Sequence, residues 1–203
     1  MLRLAFLASN NGTSFRAVAR AIEVGVLEAV IGLLVSNKAD APALDFAKSH
    51  AIPAVWIPTR DDEIAADTRL AVSLVEAKID VVILSGYLRK IGQQTLTRFA
   101  GRILNVHPGP LPKYGGQGMY GRRVHQSILD ANELMSAATI HIVDGDYDNG
   151  PVIAARQVNV EKHDDVPSLE KRVMQAECDL MIATLGKIAR REIIFPYYPP
   201  THL

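Results

Sequence analysis

Asn105, His107 and Asp148 are the residues whose types and setting could act together on a polar bond. Asn105 and His107 stand two apart in Asn105-Val106-His107-Pro108, closing an apolar run that starts at Arg102. Side chains two apart on a strand share a face, so an amide and an imidazole would point to one spot. The amide can donate to an oxygen on which negative charge develops. The imidazole can move protons near neutral pH. A polar strand end that merely satisfies its own backbone has the same residues, so the pair alone leaves both readings open. Asp148 lies in Asp144-Gly145-Asp146-Tyr147-Asp148-Asn149-Gly150-Pro151. Three acids at alternate positions suggest calcium, but an EF-hand loop needs a Glu at its twelfth position, and residue 155 is alanine. Either a tight acidic turn or a carboxylate placed to orient an imidazole or a water remains.

A second constellation is Asn10-Asn11-Gly12-Thr13-Ser14, between an apolar strand pattern and a helical one. Helix N-terminal amides with two hydroxyls could cradle a phosphate. One glycine is too few for a dinucleotide fingerprint, and the Walker A lysine is missing. A capped helix without ligand is the other reading.

The elements that must carry these residues alternate. Strands are expected at Leu4–Ala8, Val30–Val35, Val55–Ile57, Val81–Leu84 and Arg102–Val106. Helices are expected at about Phe15–Val24, from Pro42 to about His50, and after Asp61. The run Val81-Val82-Ile83-Leu84 is apolar throughout, as in a strand covered on both faces. This order predicts an α/β fold: a single-domain, mostly parallel twisted sheet with helices on both faces, its N-terminal half Rossmann-like. Ligands of such sheets bind beyond the carboxyl ends of the strands, where Ser9–Ser14, Ser36-Asn37, Ser85-Gly86-Tyr87 and Asn105–Pro108 fall. Pro108 to Gly121 then holds three prolines and five glycines in fourteen residues, a long loop of the kind that often carries function. A helix from about Arg123 to Ala131, strands at Ala137–Val143 and Val152–Val160, and a helix from near Val166 to about Arg190 complete the chain. The expected layout is one domain, 1–203. Residues 1–100 form a phosphate-binding half, 101–190 a catalytic half and 191–203 a tail.

The 203 residues carry 22 Lys plus Arg against 22 Asp plus Glu, a formal net charge of zero. That balance argues against a general nucleic-acid binder but allows a small anion held by local donors. The apolar start is too short for a signal peptide and lacks a cleavage pattern, and no run approaches a membrane span. A single cysteine, Cys178, fits a reducing compartment, so a cytoplasmic location is expected.

Asn105-Val106-His107-Pro108, Leu111-Pro112-Lys113-Tyr114 and Asp148-Asn149-Gly150-Pro151 together resemble the folate-dependent formyltransferases, in particular the branch acting on glycinamide ribonucleotide. Ser9–Ser14, Ser36–Ala41, Leu84–Arg89 and Lys171-Arg172-Val173 with Glu177 extend the resemblance over residues 1 to 190. It implies transfer of a formyl group from 10-formyltetrahydrofolate to the amine of glycinamide ribonucleotide, a step of purine synthesis, with no metal. By the same resemblance Asn105, His107 and Asp148 are catalytic. Asn11, Gly12, Thr13, Ser14, Pro108 and Glu177 would bind the acceptor, and Tyr87, Leu88, Arg89, Ile91, Val143 and Gly145 the folate. His141 is expected to be structural and His125 to be exposed or a helix-face contact. Arg122 and Arg123 read as a solvated basic pair.

Departures from the pattern are Asn10 where the family usually has glycine, Ser14 where it often has Asn, Gly109-Pro110 after the His-Pro, a longer loop at 116–121, and Cys178 where His is common. Relatives that formylate methionyl-tRNA usually add a C-terminal domain and a basic surface. Deformylases add an N-terminal domain. Neither feature is expected here. A sugar-nucleotide N-formyltransferase would not need the hydroxyl-rich turn after the first strand, and a non-catalytic binder would not need Asn105, His107 and Asp148 together. The implied partners are the two small molecules, without nucleic acid or membrane, in a monomer or homodimer.

Overall fold

The computed structural model describes residues 1–196. Of the expected tail, 197–203 lie outside the described residues. Seven strands form one sheet in the order β3-β2-β1-β4-β5-β6-β7. They are β1 Leu2–Leu7, β2 Ala29–Ser36, β3 Ala54–Trp56, β4 Val81–Leu84, β5 Ile103–His107, β6 Met135–Ile142 and β7 Val152–Asn159. The first five are mutually parallel; β6 and β7 are antiparallel to their neighbours. The helices are α1 Thr13–Glu23, α2 Pro42–Ser49, α3 Glu63–Glu76, α4 Gln93–Arg98, α5 Arg122–Asp130 and α6 Val166–Ala189.

Strand alternation sorts the core into two faces. Leu4 and Phe6 of β1 and Val81 and Ile83 of β4 join α1, α2 and α6 on one side. Ala5, Leu7, Val82 and Leu84 join α3 on the other. Burying each such large apolar side chain contributes roughly 1.5–3 kcal/mol, so both sheet faces must be covered. Tyr114, Val124, Ile128, Leu169 and Val173 build a third cluster where α5 meets α6.

Helix starts follow their caps. Asp62 accepts the Ala65 amide at 2.8 Å to open α3. Asp165 and Ser168 form a reciprocal capping box ahead of α6. The short helix α4 was not expected from the sequence. It has no apolar period of its own; its N-terminus is held by a residue 27 to 28 positions away. Asp67 of α3 accepts the amides of Gln94 at 2.8 Å and Thr95 at 3.2 Å, and the Thr95 hydroxyl at 2.6 Å.

Candidate active site

β4 and β5 end side by side, with Leu84 opposite Asn105. β6 runs back along β5, so Asn105 faces His141 and His107 faces Thr139. Asn105 and His107 therefore share a face as their spacing predicts, and the next strand adds a second imidazole. His141 thus turns inward beside the site, as its strand alternation suggests. Its ring is buried, and its Nε2 lies 3.0 Å from Asn105 Nδ2 and 3.3 Å from Asp148 Oδ1.

Asp148 reaches these groups from the loop between β6 and β7. Its backbone is left-handed, with φ of +54°, a conformation that Asp tolerates better than most residues with a Cβ. The loop turns back so closely that a Cβ on Gly150 would lie 1.9 Å from the Ile142 carbonyl oxygen. Asp148 Oδ2 stands 3.4 Å from His107 Nδ1 and accepts the Gly116 amide at 3.1 Å. Asn105 Nδ2 donates to Oδ1 at 3.4 Å. Burial alone would push the Asp148 carboxyl up; the hydrogen bond from His107, its nearby charge and the Gly116 amide outweigh it. They hold the carboxyl well below the usual carboxylate range.

Each imidazole has one nitrogen committed to the backbone. His107 Nε2 donates to the Tyr114 carbonyl at 2.7 Å, and His141 Nδ1 donates to the Ile142 carbonyl at 2.9 Å. The remaining nitrogens face the carboxylate. His107 Nδ1 can donate to Asp148 only when it too carries a proton. His141, with its ring proton on Nδ1, offers the Nε2 lone pair to the Asn105 amide.

A cleft opens beside this cluster, between the loop after β4 and the loop after β6. Of the expected folate residues, Tyr87, Arg89, Ile91, Val143 and Gly145 line it together with Asn105, His141 and Asp148. Leu88 does not. Its side chain is exposed, and its amide donates to Ser9 Oγ at 2.8 Å. Ser9 Oγ in turn donates to Asn37 Oδ1 at 2.6 Å, tying the ends of β1, β2 and β4 together. Burial pushes the Tyr87 phenol up to about 12, against the pull of Arg89. Arg89 also lines a second cavity of about 500 Å³ above the ends of β2 and β3, with Lys38, Trp56 and Arg60.

At the turn after β1, Gly12 takes a left-handed φ of +60° and caps α1. Asn11 and Thr13 are exposed. Ser14 is not: its hydroxyl is buried against Ser85 Oγ at 2.6 Å. A side-chain contact from Ser14 to an anion is thus spent internally, and the Phe15 amide donates to Ser85 Oγ at 3.2 Å, so the amides of Gly12, Thr13 and Ser14, which have no place in the helical ladder, are the donors left there. The Asn10 side chain accepts from Lys38 Nζ at 2.9 Å, which brings a cation to the turn.

Pro108 follows directly on the end of β5, and Glu177 lies half-buried on α6. Burial, with Glu170 nearby, pushes the Glu177 carboxyl up to about 8. Cys178 is buried and its thiol is raised by desolvation, in keeping with a packing role. His125 is also buried, at 2% exposure, so of the two expected settings it takes the helix-face contact rather than the exposed one. Arg122 pairs with Glu170 at 2.9 Å, and Arg123 lies over the Tyr120 ring.

The Formyl transferase family matches residues 2–185. The chain belongs to the formyl transferase family. It is 34% identical over 194 residues to the chloroplastic phosphoribosylglycinamide formyltransferase of Arabidopsis thaliana, which covers 94% of this chain and 66% of that protein. It is 31% identical to the phosphoribosylglycinamide formyltransferase of Haemophilus influenzae, over 87% of this chain and 82% of that one. The crystal structure of glycinamide ribonucleotide transformylase 1 from Symbiobacterium toebii superposes with a TM-score of 0.88 at 27% identity, over 96% of this chain and 91% of that chain. This chain spans about two thirds of the plant protein's length.

Three contacts of the site could not be read from residue type. His141 enters through strand pairing. Tyr114 and Gly116 enter through their main chain, on which residue type leaves no mark. Among the described residues, no helix is long and apolar enough to cross a membrane.

Proposed function

We propose that this formyltransferase moves the formyl group of 10-formyltetrahydrofolate to the amine of glycinamide ribonucleotide, a step of purine synthesis. The observation that carries this reading is the convergence of Asn105, His107 and Asp148 beside a cleft lined by the folate positions. Asn105 Nδ2 and Asp148 Oδ1 lie 3.4 Å apart there.

The amine attacks the formyl carbon and the carbonyl oxygen becomes an oxyanion. In the resting site both Asn105 amide hydrogens are engaged, one at 3.0 Å on His141 and one at 3.4 Å on Asp148. The longer bond is the weaker, so it is the one exchanged for the oxyanion. The His107 imidazolium adds positive charge beside it. The amine loses a proton as the new C–N bond forms, and the departing folate nitrogen gains one as the old bond breaks. A carboxylate held far below its usual range is a weak base. Asp148 therefore orients a water and the imidazolium along which that proton passes.

Tyr87, Arg89, Ile91, Val143 and Gly145 would hold the folate, with its acidic tail directed past Arg89 into the second cavity. Leu88 would serve by its backbone. Gly12, Thr13 and Ser14 would take the acceptor's phosphate on their amides, beside Asn11, with Pro108 and Glu177 placing the rest of the acceptor. A neutral Glu177 can donate as well as accept, which suits a ribose hydroxyl. The reaction needs no metal from these residues, and a cytoplasmic site of action fits the single buried cysteine.

The test is a formyl-transfer assay with 10-formyltetrahydrofolate, offering glycinamide ribonucleotide and amino-sugar nucleotides in parallel. Transfer to glycinamide ribonucleotide alone supports the proposal. Transfer only to an amino-sugar nucleotide replaces it with the runner-up reading, and no transfer to either sinks both.

A further inference from the structure

The loop between β5 and α5 touches the cluster only through main chain, at two successive places. The Tyr114 carbonyl accepts His107 Nε2–H at 2.7 Å, and the Gly116 amide donates to Asp148 at 3.1 Å. Gly115 between them has no room for a side chain: a Cβ would lie 2.4 Å from Leu111 and 3.0 Å from the Asp148 Cβ. The carbonyl holds the Nε2–H edge of the His107 ring and so turns Nδ1 toward Asp148. A main-chain acceptor is only as well placed as the loop that carries it.

Tyr114 and its neighbour Lys113 are pinned on the far side. Tyr114 Oη donates to Glu133 Oε1 at 2.8 Å, and Lys113 Nζ pairs with the same oxygen. Tyr114 is 7% exposed and packs into the cluster shared by α5 and α6. Glu133 sits in the turn between α5 and β6, outside the cleft, and is absent from the residues that line it. The loop start is tied separately, by Thr139 Oγ1 donating to the Gly109 carbonyl at 2.8 Å.

We propose that Glu133 and the Tyr114 hydroxyl are positioning residues: they clamp the loop peptide whose carbonyl holds the His107 ring by its Nε2–H edge. The clamp acts on the reaction through His107, and in that sense rests on the function proposed above. The Tyr114 ring fills the apolar cluster, while its hydroxyl, which that packing does not need, reaches Glu133. The device thus separates into a packing part and a steering part, and the two can be tested apart.

The experiment uses the full chain with two readouts. Nitrogen NMR of the imidazole rings reports the protonation and hydrogen bonding of both His107 nitrogens without turnover, and formyl transfer to glycinamide ribonucleotide reports kcat and KM. For Tyr114→Phe and Glu133→Ala, kcat should fall about tenfold with both KM values unchanged, the scale of a slightly misplaced catalytic group. The His107 Nε2 signal should shift away from its hydrogen-bonded position. The double variant should lose no more than Glu133→Ala alone, because that change already breaks the Tyr114 contact. Glu133→Gln still accepts the tyrosine hydroxyl and should recover most of the rate. Unchanged kcat and unchanged His107 signals in both single variants overturn the proposal, as does a rate loss with the His107 signals unchanged. A wild-type chain inactive on these substrates would remove the functional reading, while the spectra would still decide the clamp.

Discussion

His141 lies directly across the β5–β6 pair from Asn105, and its Nε2 accepts the Asn105 amide at 3.0 Å. The acceptor role is fixed from the other side of the ring, where Nδ1–H is held by the Ile142 carbonyl at 2.9 Å. A carboxamide can present either its oxygen or its nitrogen to a cleft. Here the lone pair of His141 selects the nitrogen, so the donor end of Asn105 turns toward Asp148 and the space beside it. The strand pair thus supplies a preset hydrogen-bond donor, and preset donors lower a barrier without reorganising during the reaction.

Replacing His141 by Phe keeps the ring volume and removes the acceptor. Asn105 is then free to turn its oxygen to the cleft. We expect kcat to fall about tenfold, the equivalent of one net hydrogen bond, with KM for both substrates nearly unchanged. Steady-state kinetics with each substrate varied in turn measure the split. A change confined to KM would mean that His141 contacts a substrate rather than orienting Asn105.

Asp148→Asn removes the carboxylate that stands 3.4 Å from His107 Nδ1 and keeps the side chain's size. Turnover should drop by about three orders of magnitude, within the usual range for a proton-handling group. The circular dichroism spectrum should match the wild type, because the loop is shaped by Gly150 and the sheet rather than by the carboxylate. Near-normal formyl transfer would remove Asp148 from the chemistry.

Much of the fold is legible in the residues for one physical reason. Val81–Leu84 and Ile103–Leu104 are covered on both faces, so their apolar runs stand out without any partner being known. The same local logic places Asn105 and His107 on one face. What depends on distant pairing stays hidden. His141 looks like any alternating strand residue until the antiparallel register sets it against Asn105. The helix α4 is held by Asp67 from another helix, so no window of sequence around Gln93 announces it. Ser14 shows the opposite failure. A hydroxyl at a helix start looks available for a phosphate, yet long-range packing turns it onto Ser85. Residues that act through main chain, as Tyr114 and Gly116 do, carry no chemical label at all.

Glu177 sets a pH window on stability. Its carboxyl stands near 4.5 when unburied and is raised to about 8 in the fold. Between those values the folded chain keeps a proton that the unfolded chain has released, so folding takes up a proton there. Stability therefore falls as pH rises through that interval and levels off above it. Glu177→Gln abolishes the effect. The melting temperature of the variant should match that of the wild type near the bottom of the window and exceed it increasingly toward pH 8. Parallel melting curves across the whole range would show that the carboxyl is not raised.

Gly150 ties the stability of the loop to the chemistry. A Cβ there would meet the Ile142 carbonyl oxygen at 1.9 Å and its carbon at 2.9 Å. Both are main-chain atoms at the end of β6, and that strand is anchored on both sides by β5 and β7. The loop, not the sheet, must therefore give way in Gly150→Ala. Displacing the loop carries Asp148 off the two imidazoles, whose contacts at 3.3 and 3.4 Å leave no slack. We expect a loss of roughly 3 kcal/mol or more in unfolding free energy, as for other forced backbone shifts. Activity should fall further than the folded fraction accounts for. Denaturant melts alongside kcat per folded molecule separate the two effects. A variant that loses stability yet keeps full kcat would show that Asp148 tolerates the displaced loop, and that the left-handed turn is structural alone.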